Sequence, residues 1–384
     1  MALLIETSRA YGRGLLQGVI RYLRAHRPWS VFFQPHGLGA PPPPWLRNWK
    51  GDGILVRIDD RRMAAAVRRT GLPAVDLRFS VPNVGLPGIG IENRAVVRMA
   101  FEHLADGGFK HFGFCSWPRR QNPWMDLRCD LFQQLVRERA GHGCHVFEGS
   151  AGSPVVSWEV EQEQIAAWVR RLPKPIGVMA CNDDRGQQVL DACRRVNALV
   201  PDEVAVIGVD NDEILCNLSS PPLSSVDINT QQAGYEAADL LDRMMAGKPA
   251  PAEPLLFAPR GVVPRESTDV LATEDRDLAA AVRFIRGHAC EGLRLKDCER
   301  RIGLSRRELE RRMRKLLGRS PKEEITRVQM ERAKQLLTET DLPAAAIAAK
   351  CGFSQAKYFN QVFHARVGLP PGAYHRSMRR PGRE

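Results

Sequence analysis

Residues 295–317 read LKDCERRIGLSRRELERRMRKLL. Leu295, Cys298 and Ile302 recur at helical spacing and fall on one face. Gly303 then supplies the left-handed residue that closes a tight turn, and Ser305 is a good N-cap for a second helix carrying Leu309, Met313 and Leu316 inward. Two short helices joined by a glycine turn have helix-turn-helix spacing. The outer face of the second helix bears Arg306, Arg307, Arg311, Arg314 and Lys315. Guanidinium groups grip phosphates and make bidentate contacts to guanine edges. A second copy follows: a helix over 343–350 with Ile347 and Ala348 inward, the turn CGFS at 351–354, and a helix over 355–367 with Phe359 and Phe363 inward. Gln355, Lys357, Asn360 and Gln361 face outward on that helix, and a helix over 321–339 joins the two units.

The stretch 347–376, IAAKCGFSQAKYFNQVFHARVGLPPGAYHR, resembles the signature of AraC/XylS-type regulators: an Ile-Ala pair, Gly-Phe, two phenylalanines four apart, then Gly, Pro and Tyr. The match runs over about residues 278–376. It implies a seven-helix module whose two recognition helices enter successive major-groove segments on one face of double-stranded DNA. On that resemblance Arg306, Arg307, Glu310 and Arg311 stand where the first recognition helix reads bases. Gln355, Ala356, Lys357, Asn360 and Gln361 stand at the reading positions of the second. Phe353, Phe359 and Phe363 read as core.

Charge agrees with this placement. Residues 271–384 hold 25 Lys and Arg against 14 Asp and Glu, so nearly all of the chain's net +12 sits in its last third. A polyanion partner for that third alone fits this asymmetry, with a solvated basic surface as the alternative.

Upstream the pattern changes. Short apolar runs at 2–5, 31–34, 53–58, 74–77, 111–115, 145–148, 176–180 and 204–209 alternate with amphipathic stretches at 14–25, 63–69, 94–106, 128–139, 160–171, 186–196 and 231–245. A closing strand is expected at 255–263. Alternating strand and helix predicts parallel sheets covered by helices on both faces, and about 230 residues of it predict two lobes. The segment 264–274 is polar and reads as a linker. Gly12, Gly14 and Gly18 after the first strand mimic a dinucleotide fingerprint, but the spacing is wrong and Gln34 stands where an acid would hold a ribose.

Four segments, AYGRGLLQGVIRYL (10–23), MACNDDRGQQVLDAC (179–193), VAVIGVDNDEILCNLSSPPLSSVDIN (204–229) and QQAGYEAADLL (231–241), make residues 1–265 resemble the LacI-type, periplasmic-binding-protein-like sensor fold. The expected organisation is a two-lobed α/β sensor at 1–265, a linker at 266–277, an all-α double helix-turn-helix domain at 278–376 and a basic tail at 377–384. Sensor first and DNA-binding module last reverses the familiar LacI order.

A sugar site needs fixed polar groups aimed inward and apolar rings over the C–H faces. The resemblance places these at the strand ends facing the cleft: Ser8 and Tyr11 after the first strand, Arg57 and Asp59 after the third, Arg128 opening a helix, Asn182 and Asp183 after a later strand, and Asp210 after the last. Asp183 and Asp210 have an alternative as helix caps. Trp117 and Trp124 would stack on the ring, or serve as core or interface residues.

Nine cysteines without a CxxC pair fit buried free thiols in a reducing compartment. His142, Cys144 and His145 cluster, but no second ligand pair has metal spacing, so neither metal nor cofactor is expected. The start resembles no signal peptide, and no apolar run approaches a membrane span, so a cytoplasmic protein without membrane contact is expected. The expectation is therefore a DNA-binding transcription activator, controlled by a monosaccharide such as the pentose D-xylose, acting as a homodimer that contacts RNA polymerase. A repressor, or a regulator responding to another sugar or a non-sugar ligand, is the alternative within that class. A solute-binding transport protein would need an export signal and lack the basic tail. An enzyme would need a nucleophile–base pair, a carboxylate pair or a phosphate loop, none of which stands out.

Overall fold

A computed structural model describes residues 1–26, 28–34, 36–37, 39–149, 157–269 and 275–379, without the side chains of Arg276, Ile302, Glu339 and residues 377–379. The chain runs β1 (Ala2–Leu4), α1 (Ala10–Ala25), β2 (Phe32–Phe33), β3 (Ile54–Val56), α2 (Arg61–Arg68), β4 (Ala74–Asp76), β5 (Ile89–Ile91), α3 (Asn93–Asp106), β6 (His111–Ser116), α4 (Pro123–Ala140), β7 (His145–Glu148), α5 (Trp158–Arg171), β8 (Ile176–Ala180), α6 (Asp183–Arg195), β9 (Val204–Val209), α7 (Glu213–Leu218), β10 (Ser224–Asp227), α8 (Thr230–Met245), β11 (Leu255–Phe257) and β12 (Gly261–Val263). Seven helices follow: α9 (Arg276–His288), α10 (Leu295–Ile302), α11 (Arg306–Leu317), α12 (Pro321–Glu339), α13 (Ala344–Lys350), α14 (Ala356–Val367) and α15 (Pro371–Arg379).

Two sheets give the two lobes. The first is parallel, in the order β2-β1-β3-β4; the second has the order β12-β10-β9-β8-β6-β7 and is parallel except where β12 runs against β10. Every residue of β8 and β9 is buried, as helices on both faces require. After β10 the chain returns to the first lobe, where α8 packs along α1. A Cβ on Gly18 would land on the Gln231 carbonyl of α8, and one on Gly234 on the Leu15 carbonyl of α1. Of the glycines that mimic a nucleotide fingerprint, Gly18 therefore lets two helix backbones touch, while Gly14 makes room for the Thr230 side chain and Gly12 packs on the Glu6 carbonyl.

The expected single strand at 255–263 is two strands: β11 pairs with β5, while β12 joins the second sheet. Pro259, which cannot donate to a ladder, lies between them. The expected linker at 266–277 is shorter. Ser267 donates its hydroxyl to the Val206 carbonyl at 2.6 Å and accepts from the Ser224 amide at 2.8 Å, so the sensor continues past 265. At the far side Asp275 already caps α9 by accepting from the Leu278 amide. The expected tail at 377–384 begins as the last turn of α15, and its residues 380–384 lie outside the described residues.

The helical module has two separate cores. Leu278, Ile285, Cys298, Leu309 and Met313 fill one; Met330, Leu337, Ile347, Phe359 and Phe363 fill the other. The long helix α12 contributes to both, so it ties the helix-turn-helix pairs α10–α11 and α13–α14 together.

Candidate functional site

A pocket of about 270 Å³ opens between the lobes, at the carboxyl ends of the parallel strands. Open α/β sheets bind ligands there because strand ends and helix N-termini leave unpaired polar groups. Tyr11, Arg57, Arg128, Asn182 and Asp210 of the expected set line it, together with Trp117 and Trp124. Tyr11, in the first turn of α1, donates its hydroxyl to the Leu77 carbonyl at 2.7 Å, and burial keeps the phenol protonated. Asn182 caps α6 by accepting from the Arg185 amide at 3.0 Å, yet still reaches the cavity. Arg128 lies within α4, which begins at Pro123; it does not open the helix. Arg128 donates through Nε to Asn93 Oδ1 at 2.7 Å and through Nη1 to the Cys181 carbonyl at 2.7 Å.

Three expected ligand residues stand behind the lining. Asp183 is turned away from the cavity: it accepts from the Ser225 hydroxyl at 2.6 Å and the Asp212 amide at 2.7 Å, under Gly208. Burial and the neighbouring Asp210 carboxylate raise its pKa well above the ordinary range. Its neighbour Asp184 faces the pocket instead. Ser8 bonds to the Glu6 carboxylate, and Asp59 accepts from Arg57 Nε at 3.1 Å and Arg78 Nη1 at 2.8 Å, so both buttress lining residues. The lining also holds Arg9, Arg78, Ile91, Gln121, Asn122 and Met125, which sequence reasoning missed. Arg78 follows β4 as Arg57 follows β3, so the same strand-end signal marks it.

Asp210 is the site's most unusual residue. It adopts φ 109° and Asn211 φ 50°, a costly conformation for residues with a Cβ. Its carboxylate has no hydrogen-bond partner among the described residues. Burial raises its pKa, while Arg128, Arg57 and Arg9 oppose that shift. The Trp124 indole N–H is likewise buried without an acceptor among the described residues. Trp117 is fixed from behind by Arg185, whose guanidinium lies 3.8 Å from the ring centroid and pairs with Glu161 at 2.9 Å. Across the cleft, Arg9 pairs with Asp184, and Arg13 with Asp212 at 2.8 Å.

In the helical module Gly303 closes the first turn at φ 76°, and Ser305 caps α11 by accepting from the Glu308 amide. Leu309 and Met313 are buried, while Arg306, Arg307 and Arg311 are exposed. Glu310 is half-buried beside Arg314, and Arg311 holds Glu308 through two bonds of 2.9 and 2.6 Å. In the second unit Phe359 and Phe363 are fully buried. Gln355 stands at the N-cap of α14, Ala356 is half-buried, and Lys357, Asn360 and Gln361 are exposed. The inward side chain expected of Ile302 lies outside the described ones.

Comparison with known proteins meets the two-part architecture at both ends. The model of the XylR N-terminal domain matches residues 1–84, that of a periplasmic binding protein-like domain residues 101–268, and that of a helix-turn-helix domain residues 298–377. The xylose operon regulatory protein of Escherichia coli K12 is 32% identical over 382 residues, covering 97% of this chain and 96% of its own. The chain belongs to the XylR family. The Haemophilus influenzae xylose operon regulatory protein is 29% identical over 97% of the chain. The solved structure of the xylose-binding transcription activator XylR aligns over 98% of this chain and 97% of its own, with 30% identity and a TM-score of 0.63. The CelR–cellobiose complex, at 21% identity and a TM-score of 0.56 over 69% of the chain, shares the sensor fold. As an XylR-family member this chain is a DNA-binding transcription regulator with a sugar-binding sensor domain, and its relatives are regulators, not enzymes. Among the described residues, no helix is long and apolar enough to cross a membrane.

Proposed function

We propose that this regulator responds to D-xylose and activates transcription when the sugar is held between the sensor lobes. One observation carries the choice of ligand class. Among the described residues, Asp210 offers a carboxylate with no hydrogen-bond partner and Arg128 a guanidinium with no carboxylate hydrogen-bonded to it, on the same small cavity. An anionic acceptor on one cavity with a guanidinium held only by Asn93 and the Cys181 carbonyl suits a pair of neighbouring hydroxyls, since each hydroxyl both donates and accepts. The Trp124 N–H adds a third unsatisfied group, and the Trp117 and Trp124 rings supply apolar cover.

Charge favours a neutral sugar. Arg9, Arg57, Arg78 and Arg128 line the pocket, and Asp184, Asp210, Asp59 and Glu6 balance them one for one. A cavity of about 270 Å³ lies below the range of drug-sized sites and suits one ring. The names of the full-length relatives point to xylose among monosaccharides. Sugar binding favours the closed arrangement that the Arg9–Asp184 and Arg13–Asp212 pairs span. A homodimer then presents two modules to paired operator sites in the cytoplasm and contacts RNA polymerase. Arg306, Arg307, Glu310 and Arg311 read one major-groove segment, and Gln355, Ala356, Lys357, Asn360 and Gln361 the next.

Isothermal titration of the full chain with D-xylose, L-arabinose, D-ribose and D-glucose tests the ligand. D-xylose should bind most tightly. No heat with any of the four contradicts a sugar site, and tighter binding of another sugar reassigns the effector.

A further inference from the structure

The helix α3 joins the two functional ends of the molecule. Its first residue, Asn93, is buried and accepts from Arg128 Nε at 2.7 Å, directly behind the pocket. Its last residue, Asp106, lies about 20 Å away along a 14-residue helix. There it meets three arginines of the DNA-binding module. Arg319 Nη1 donates to the Asp106 carboxylate at 2.8 Å, and Arg319 Nη2 and Arg286 Nη2 donate to its backbone carbonyl at 3.2 and 2.9 Å. Arg327 stands 3.7 Å from the other carboxylate oxygen. Three cations at a helix C-terminus meet both the negative end of its dipole and its unpaired carbonyl.

The receiving side is equally organised. Glu324 of α12 is fully buried and holds the same three guanidinium groups, at 2.5 Å from Arg319, 2.9 Å from Arg286 and 2.8 Å from Arg327. Arg319 lies between Gly318, which ends the arginine-bearing helix α11, and Ser320, which caps α12. A displacement of Asp106 is therefore felt two residues from the end of α11. One turn back, His103 bonds to the Thr268 hydroxyl at 2.7 Å, so the same end of α3 also touches the last part of the sensor before the module.

We propose that α3 is the strut through which the pocket biases the DNA-binding module, with Asp106 as its latch on Arg319. A packed helix moves as a rigid unit. A ligand that draws on Arg128 pulls Asn93, and the far end shifts against the arginine cluster. The energy transmitted is bounded by the ligand's differential affinity for the two arrangements. This inference rests on the sugar-pocket reading for its input, whereas the latch itself stands on the contacts of Asp106.

The test uses the full chain and a double-mutant cycle of Asp106→Asn and Arg319→Gln. Operator affinity is measured by fluorescence anisotropy with and without D-xylose, and sugar affinity by calorimetry. In Asp106→Asn the effect of D-xylose on operator affinity should fall to within about twofold of unity, while sugar affinity stays within about fivefold of wild type. The two substitutions should not multiply, because both remove the Asp106–Arg319 pair, although Arg319→Gln also takes a donor from Glu324. A wild-type sugar effect in Asp106→Asn, loss of its sugar binding, or independent effects in the cycle would overturn the proposal. A second readout needs no sugar: amide exchange over 319–327 should rise in either single variant and no further in the double. If no sugar bound the wild-type chain while exchange followed this pattern, the ligand assignment would fail and the latch would stand. Unchanged exchange would overturn the latch.

Discussion

Replacing Glu324 by glutamine should loosen the DNA-binding module more than any change on its surface. The Glu324 carboxylate is wholly inaccessible and accepts from Arg286, Arg319 and Arg327, the last through two nitrogens at 2.9 and 2.8 Å. Burial pushes its pKa up, but the three guanidinium groups outweigh burial and hold it well below the ordinary carboxylate range. Glutamine keeps the shape and one acceptor oxygen, but turns an amide N–H₂ toward cations. Removing one partner of a buried pair costs about 3–5 kcal/mol, because the remaining charges stay desolvated. Against a domain stability of about 5–15 kcal/mol, that is a large fraction. Hydrogen exchange of α9 and α12 amides in the full chain reads it locally. Protection should drop by about 100-fold or more at neutral pH. The sign with pH follows from the depressed folded-state pKa: the stabilisation is present above the ordinary value near 4.5 and is lost as pH falls below it. A drop of less than tenfold at neutral pH would refute the reasoning, since the cluster would then be solvated and worth no more than a surface ion pair.

Three further outcomes are expected. Arg128→Gln removes a charge-assisted donor worth about 1.5–3 kcal/mol, so D-xylose should bind about 10- to 150-fold more weakly by calorimetry; an unchanged affinity would take Arg128 out of the sugar contacts. Asp76 is fully inaccessible, and burial pushes its pKa from 3.8 up to about 7; its Oδ1 accepts from the Ile58 and Arg78 amides, while Oδ2 has no partner among the described residues. A raised folded-state pKa gives stability that is full below 3.8 and lost as pH rises through about 7, so the stability of Asp76→Asn relative to wild type should rise by at most about 3 kcal/mol between pH 5 and pH 8, read as a widening gap in Tm. A gap that stayed constant with pH would contradict the buried acid. On the DNA side, Asn360→Ala should cost about 1–3 kcal/mol at one base pair and relax selection there, whereas neutralising Lys357 should weaken all sequences alike and reduce the salt slope by about one; binding-site selection and salt titration separate the two.

The helical module was the most legible part of the sequence, because its signals are local. Leu309, Met313, Phe359 and Phe363 recur at helical spacing and are all buried, and Gly303 and Ser305 end and start helices where such residues belong. The alternating sensor pattern gave two lobes for the same reason. What failed depended on side-chain direction or on distant chain. Asp183 and Asp184 are adjacent at a helix start, and only the positions of Ser225 and Gly208 decide which faces the pocket. Arg9 enters the lining from lobe one and is held by Asp184 of lobe two, a pairing across 175 positions that no local spacing shows. The stretch 255–263 reads as one closing strand, yet its halves belong to different sheets, with Pro259, Arg260 and Gly261 as the local warning. The arginine cluster around Glu324 carried no motif at all: as a sequence it is one of four glutamates in a helix with four basic residues.

The account's central claim is that a sugar in the cleft alters how the arginine-bearing helices hold DNA. Footprinting the full chain on the DNA upstream of its own and neighbouring genes, with and without D-xylose, tests it most directly. The account predicts protection of successive major-groove segments on one face of the duplex, with occupancy that changes when D-xylose is added. No protected sequence in low-salt buffer, or protection indifferent to every sugar in the panel, would contradict it.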